Sequence, residues 1–381
     1  MTSIREYLHR LLTPVKPLPA GIYHFQAAPS DTSHYRLHLR VEPEGNGLLI
    51  VNASTILHLN QTAAEYAYHI VNSTPLAETT RQIATRYRVS HKRAAQDYQD
   101  LSDRIHTLIE TPDLDPEIYL DIERIAPSSN MPSAPYRLDC ALTYRLPEGV
   151  DPAYAPTTRA QRELSAQEWK VIIDKAWEVG IPHLIFTGGE PTLRDDLPQL
   201  LTYAEENGQV TGLITDGLFF SDPLKLSNLL QTGLDHVMIT LQPDKPESWA
   251  SLEIAVEADL FIAVHLTLNT NNALDAGETI KKIARMGAKH LSLSTSDISL
   301  QATLMELRDL SAALGLTLIW DLAVPYSAFN PVGLEVQEDV PSHEASPTSL
   351  YIEPDGDVFP AQGVNLVLGN LLTDPWEKIW Q

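Results

Sequence analysis

The run Phe186-Thr-Gly-Gly-Glu-Pro-Thr192 holds residue types suited to ligand chemistry at close quarters. Adjacent glycines let a backbone approach what it holds without a Cβ in the way. Glu190 adds a carboxylate, and Pro191 suits the first position of a following helix or turn. A second carboxylate comes at Leu213-Ile-Thr-Asp216-Gly217. Thr240, His265 and Thr267 are further polar residues in otherwise apolar runs, where core or rim roles compete with ligand contact. The bland alternative for Gly188 to Pro191 is a strand-to-helix turn and nothing more.

Other chemistries are poorly supplied. The chain has one cysteine, Cys140, so internal disulfides and cysteine-only metal sites are excluded. There are 13 histidines, but no H-x-x-H or H-E-x-x-H pair is among them. No Ser-His-Asp order, paired carboxylate site or activated nucleophile stands out. The formal net charge of −23 disfavours nucleic acid and anionic membranes as partners, because both present phosphate. It suits a basic peptide or simple solubility. No apolar run approaches the 18 or so residues of a membrane span. The start, from Met1 to Leu12, reads as a short amphipathic helix without the apolar stretch of a signal peptide, so a cytoplasmic location is expected.

The elements that position these residues follow from periodicity. Within 136–325, strand patterns at 138–144, 183–187, 211–215, 236–241, 261–268, 290–295 and 316–322 alternate with helical patterns at 166–179, 197–207, 224–230, 276–286 and 304–314. A stretch at 246–258 reads as a short or irregular helix. Such alternation signals parallel βα units. The fold expected is α/β, a partial TIM-like (βα)6 barrel with ligands at the strand C-termini.

Residues 1–20 read as a proline-bearing tail and 113–135 as a linker, apolar around Ile118 and Pro/Ser-rich later. Between them, 21–112 reads as a small α+β unit, winged-helix-like. It has strands at 35–41, 48–51 and 55–59, then helices from Asn60, from Leu76 and from Ser90, with Asn60 and Ser90 as N-caps. The basic cluster Arg86, Arg88, His91, Lys92, Arg93 reads as a solvated helix start, with DNA binding as the rival reading. In 326–381, Pro354-Asp-Gly356 marks a hairpin turn.

The order of these motifs resembles the radical S-adenosylmethionine (radical SAM) enzymes. There the first barrel strand leads into C-x3-C-x2-C-Y, whose thiolates hold a [4Fe–4S] cluster. Here the spacing and the trailing Tyr154 match, but the ligand positions read Leu146, Val150 and Ala153. Leu146, Val150 and Ala153 offer no lone pair to iron, so the cluster is expected to be absent. The resemblance implies S-adenosylmethionine as a ligand, held by Gly188, Gly189, Glu190 and Pro191, with Asp216 and Thr240 in the same pocket. Asp216 stands where the family has Asn, which keeps acceptance from ribose hydroxyls and loses a donor.

The C-terminal run resembles the SPASM-type extension, with Ala361 where a cluster cysteine is typical. Residues 22–112 resemble the peptide chaperone of pyrroloquinoline-quinone biosynthesis, a leader-peptide recognition fold. Dimerisation or packing is the rival reading for that unit. The function implied is a peptide-binding accessory or regulatory relative of peptide maturases, partnered by a precursor peptide or by an active maturase. The alternatives are a cysteine-stripped radical SAM enzyme and an iron-independent enzyme using the same pocket.

Overall fold

The structure is a computed structural model. It describes residues 18–28, 35–52, 55–111, 132–148, 160, 162–258, 260–319 and 348–380. The expected helix at the start, most of the 113–135 linker, and Val150, Ala153 and Tyr154 lie outside these residues. The chain divides into two compact units, Met1–Ser133 and Ala134–Gln381.

In the first unit an antiparallel meander runs β1 (Gly21–Gln26), β2 (Arg36–Val41), β3 (Gly47–Val51) and β4 (Thr55–Leu59), in that spatial order. Three helices follow: α1 (Gln61–Val71), α2 (Leu76–Tyr87) and α3 (His91–Glu110). Asn60 and Ser90 cap α1 and α3 as the sequence predicts, their side chains accepting from Ala63 N and Arg93 N. The sheet has one strand more than the sequence reading. β1 is an edge strand of half-buried and exposed residues, so its apolar alternation is faint. Leu39, Leu49, Leu57 and Ile105 are buried where the sheet meets α1 and α3.

Among the described residues the second unit holds one sheet. Strands β5 (Arg137–Thr143), β6 (His183–Gly188), β7 (Val210–Thr215), β8 (His236–Thr240), β9 (Phe261–Leu268), β10 (His290–Thr295) and β11 (Thr317–Leu318) pair parallel in chain order. The connecting helices are α4 (Ala166–Glu178), α5 (Leu197–Glu206), α6 (Pro223–Leu230), α7 (Pro246–Glu257), α8 (Ala276–Arg285) and α9 (Gln301–Ala313). This is the α/β partial barrel that the sequence predicts.

One expectation is corrected. The stretch read as short or irregular is the regular helix α7, twelve residues long. Its buried stripe, Ser248, Ser251, Leu252 and Ala255, has helical spacing. Half of it is serine, so hydrophobic periodicity does not reveal it.

Beyond β5 the sheet continues with β12 (Ser349–Ile352), parallel to β5, and then β13 (Asp357–Phe359) and β14 (Gly369–Asn370), antiparallel. The β12–β13 turn is the Pro354-Asp-Gly356 hairpin, with Gly356 at φ 93°. A last helical turn, α10 (Trp376–Ile379), follows. Lys175 of α4 donates to the carbonyls of Leu371 and Leu372 at 2.8 and 3.0 Å, which fastens this extension to the barrel helices.

Alternation sorts the barrel residues cleanly. Leu138, Cys140, Leu142, Phe186, Leu213, Val237 and Val264 join the helix-side core. Ile185, Ile214, Met238 and Ala263 make a small apolar plug on the other face. Above that plug, toward the strand C-termini, the inner face turns polar.

Candidate functional site

The strand ends assemble most of the sequence-predicted residues. Gly188 has φ 137°, and a Cβ on it would lie 2.1 Å from the Thr143 carbonyl oxygen. A Cβ on Gly189 would lie 2.2 Å from the Arg145 carbonyl oxygen. Gly189 N donates to Thr143 O at 2.7 Å, and Glu190 N to Arg145 O at 2.8 Å. The glycines are therefore required by close approach, but the partner they admit is the backbone leaving β5.

Glu190 is 2% exposed. Its Oε1 accepts from Thr192 N at 3.0 Å, Thr192 Oγ1 at 2.6 Å and Thr215 Oγ1 at 2.8 Å. Its Oε2 accepts from Asp216 N at 2.7 Å. One carboxylate thus ties the end of β6 to the end of β7. Burial, and next the charge of Asp216, push its pKa up to about 7 against the pull of these donors. Pro191, buried, opens the short turn that carries Thr192.

Asp216 is 9% exposed, and burial raises its pKa as well. Oδ1 accepts from Leu218 N at 2.9 Å, whereas Oδ2 has no hydrogen-bond partner among the described residues. The Thr187 hydroxyl is also buried without one. Thr240 stands in register with His265 on β9, and its hydroxyl donates to the Thr215 carbonyl at 3.1 Å. His265 is enclosed by hydroxyls. Its Nδ1 lies 2.9 Å from Ser292 Oγ, and its Nε2 lies 3.0 Å from both Thr267 Oγ1 and Ser294 Oγ. Burial pushes its pKa down to about 3, so the ring is neutral.

Sequence reasoning missed the residues that close this site. Arg194, just past the glycine turn, is buried and reaches backward. Its Nη1 donates to Leu142 O and its Nη2 to Leu164 O, both at 3.0 Å, and it forms a bidentate pair with Asp196 at 2.8 and 2.6 Å. Thr143 is hydrogen-bonded to Glu163 and accepts from Arg145 N at 3.0 Å. Arg194 thereby fixes the points where the chain leaves β5 and returns toward α4. An arginine three residues past the motif was visible in the sequence, but its partners 30 and 52 positions away were not.

The donor set does not fit an iron–sulfur cluster. Such clusters take thiolates, and Cys140 faces the helix-side core, fully buried, its thiol directed at Leu138 O at 3.8 Å. Burial pushes that thiol well up, away from the thiolate form. Leu146 is half-buried and Ala361, past β13, is likewise a non-ligand. Among the described residues no three His, Cys, Asp or Glu side chains are grouped to hold a metal. No helix of those residues is long and apolar enough to cross a membrane.

Known proteins resemble this chain in sequence and fold. The Radical SAM superfamily matches residues 140–259, from Cys140 on β5 to just past α7. A PqqA peptide cyclase of Rhizobium meliloti (strain 1021) is 28% identical over 177 residues, 42% of this chain and 47% of the relative. Another, from Streptomyces rochei, is 27% identical over 278 residues, 65% of this chain and 76% of the relative. The match therefore spans about half of the first relative and three quarters of the second. SuiB of Streptococcus suis, in crystal structures bound to its precursor peptide SuiA and to S-adenosylmethionine, shares the fold. Each superposes with TM-score 0.59 at 15% identity, covering 90% and 94% of this chain and 86% and 88% of SuiB. The chain is thus similar to radical SAM peptide maturases in its barrel sequence and in its fold, and it carries a single cysteine.

Proposed function

We propose that this chain is a peptide-binding relative of the radical SAM peptide maturases that acts as an accessory or regulatory protein without a [4Fe–4S] cluster. The observation that carries the reading is Cys140, the one thiol in 381 residues, sealed in the helix-side core and bonded to a carbonyl. In such enzymes the cluster supplies the electron that cleaves S-adenosylmethionine, and the one thiol this chain has is turned into the core. The barrel end keeps the fittings of a ligand pocket all the same. Asp216 Oδ2 and the Thr187 hydroxyl are buried without a hydrogen-bond partner among the described residues, and a ligand could supply one. S-adenosylmethionine, bound at Gly188, Gly189, Glu190, Pro191, Asp216 and Thr240, is the ligand this reading assigns.

The first unit supports the peptide role. The described sheet ends on β1 and β4, and an extended leader peptide can add to such an edge through backbone hydrogen bonds. The relatives are named for acting on a peptide, and SuiB was crystallised with one. A partner maturase would then do the chemistry. An iron-independent enzyme is the second reading, favoured by a Glu190 pKa near neutrality. Against it, both Glu190 oxygens are already engaged by protein donors.

Anaerobic reconstitution with iron and sulfide, followed by calorimetry with S-adenosylmethionine and with candidate leader peptides, tests the proposal. Binding of a leader peptide without a [4Fe–4S] absorption band is the expected result. A cluster at near-stoichiometric loading overturns it.

A further inference from the structure

We propose that the groove between α1 and α2, with the basic corner where α2 passes into α3, docks an acidic peptide segment. The inference rests on reading the first unit as a peptide-binding module, but it uses a different surface from the sheet edge. The groove has a volume of about 410 Å³ and is lined by Glu65, Tyr68, His69, Arg81, Gln82 and Arg86 among others. His69 is 2% exposed, and its Nδ1 has no hydrogen-bond partner among the described residues. Beside the apolar Leu18 the lining carries paired polar groups, Glu65 pairing with Arg86 Nε at 2.7 Å and accepting from the Tyr87 hydroxyl at 2.8 Å.

Charge identifies the occupant. The chain has 27 Lys and Arg against 50 Asp and Glu, yet from Arg81 to Arg93 it places Arg81, Arg86, Arg88, Lys92 and Arg93 with no acid between them. Two local choices there run against helix electrostatics and geometry. The first turn of α3 holds His91, Lys92 and Arg93 and no acidic residue, although the positive end of a helix favours anions. Arg88 sits at φ 58°, a left-handed position that glycine occupies at lower cost. Arg93 is paired with Asp97 at 2.8 Å, whereas Arg88, His91 and Lys92 have no ionic partner among the described residues. Carboxylates lying along this corner would offset both the crowded cations and the helix dipole, and one carboxylate side chain entering the groove would meet the His69 ring. A nucleic acid meets the repulsion of a net −23 chain, which a short acidic segment largely escapes.

The test is fluorescence anisotropy on the full chain with a labelled Glu/Leu peptide of about twelve residues, its Gln-for-Glu counterpart, and an uncharged Thr/Val peptide able to add to a sheet edge. The Glu peptide should bind at least about tenfold tighter than the Gln peptide, and the double variant Arg88→Glu, Lys92→Glu should erase that margin. Arg88→Gly should raise Tm while weakening Glu-peptide binding several-fold; a purely structural role would move Tm alone. Equal binding of the Glu and Gln peptides, or displacement of the Glu peptide by single-stranded DNA at lower concentration than by unlabelled Glu peptide, overturns the inference. If the Thr/Val peptide binds while the Glu and Gln peptides do not, the acidic site is wrong and the peptide-module reading stands. If none of the three binds, both fail.

Discussion

The end of the barrel sheet and the α2–α3 corner treat polar groups in opposite ways. At the barrel end nearly every polar group is spent on another part of the chain. Glu190 takes four donors, Arg194 ties two distant carbonyls, and His265 is ringed by hydroxyls. At the corner Arg88, His91 and Lys92 are exposed, and Arg88 holds a left-handed conformation. Buried polar groups satisfied internally build structure, and exposed ones left in conflict with local rules are available for binding. Substitutions should accordingly cost stability in the first region, whereas in the second they should change peptide affinity without costing stability.

The largest expected effect is at Gly188. Replacement by alanine drives a Cβ to 2.1 Å from a carbonyl oxygen at φ 137°. It should cost about 4 kcal/mol or more in urea unfolding, or prevent folding outright. A loss under about 1 kcal/mol would show that the β5 and β6 ends yield, and the comparison would break.

Glu190→Ala comes next. It strands buried donors on Thr192, Thr215 and Asp216, for about 3 kcal/mol. Its titration gives a second readout. The folded carboxyl rises from 4.5 to about 7, so in that interval the native state binds more protons than the unfolded state. Stability is greatest below that window and declines as pH rises through about 7. Glu190→Gln should flatten the decline. An unchanged slope would assign the proton elsewhere.

Arg194→Met keeps bulk and removes the clamp, leaving the Leu142 and Leu164 carbonyls without that donor. About 2 kcal/mol is expected, with amide exchange rising first around residues 142 and 164. Equal acceleration over the whole sheet would deny Arg194 a local role. Cys140→Ala should cost about 1 kcal/mol as a small core cavity and leave iron uptake as it was. Smallest is Arg88→Gly, where relief of the left-handed strain should stabilise by up to about 1 kcal/mol. A destabilised Arg88→Gly chain would remove the contrast between the two regions.

Much of this molecule is written locally. Strand and helix periodicity, the caps Asn60 and Ser90, the Pro354-Asp-Gly356 turn and the cysteine-free loop positions depend on residue type within a few positions of chain. They are therefore readable without coordinates, as was the order of motifs that places the chain among its relatives. Helix α7 escaped because its buried stripe is partly serine, and β1 because an edge strand need not alternate strongly. The site was legible as a set of residues but not as a set of contacts. Sequence placed Gly188, Gly189, Glu190 and Asp216 at strand ends. Only the tertiary structure decided that the glycines admit the β5 backbone, that Glu190 is consumed by Thr192, Thr215 and Asp216, and that Asp216 Oδ2 is left over. Hydrogen-bond satisfaction depends on atoms brought together across 25 to 52 residues of chain, and residue spacing carries no record of which partner arrives first.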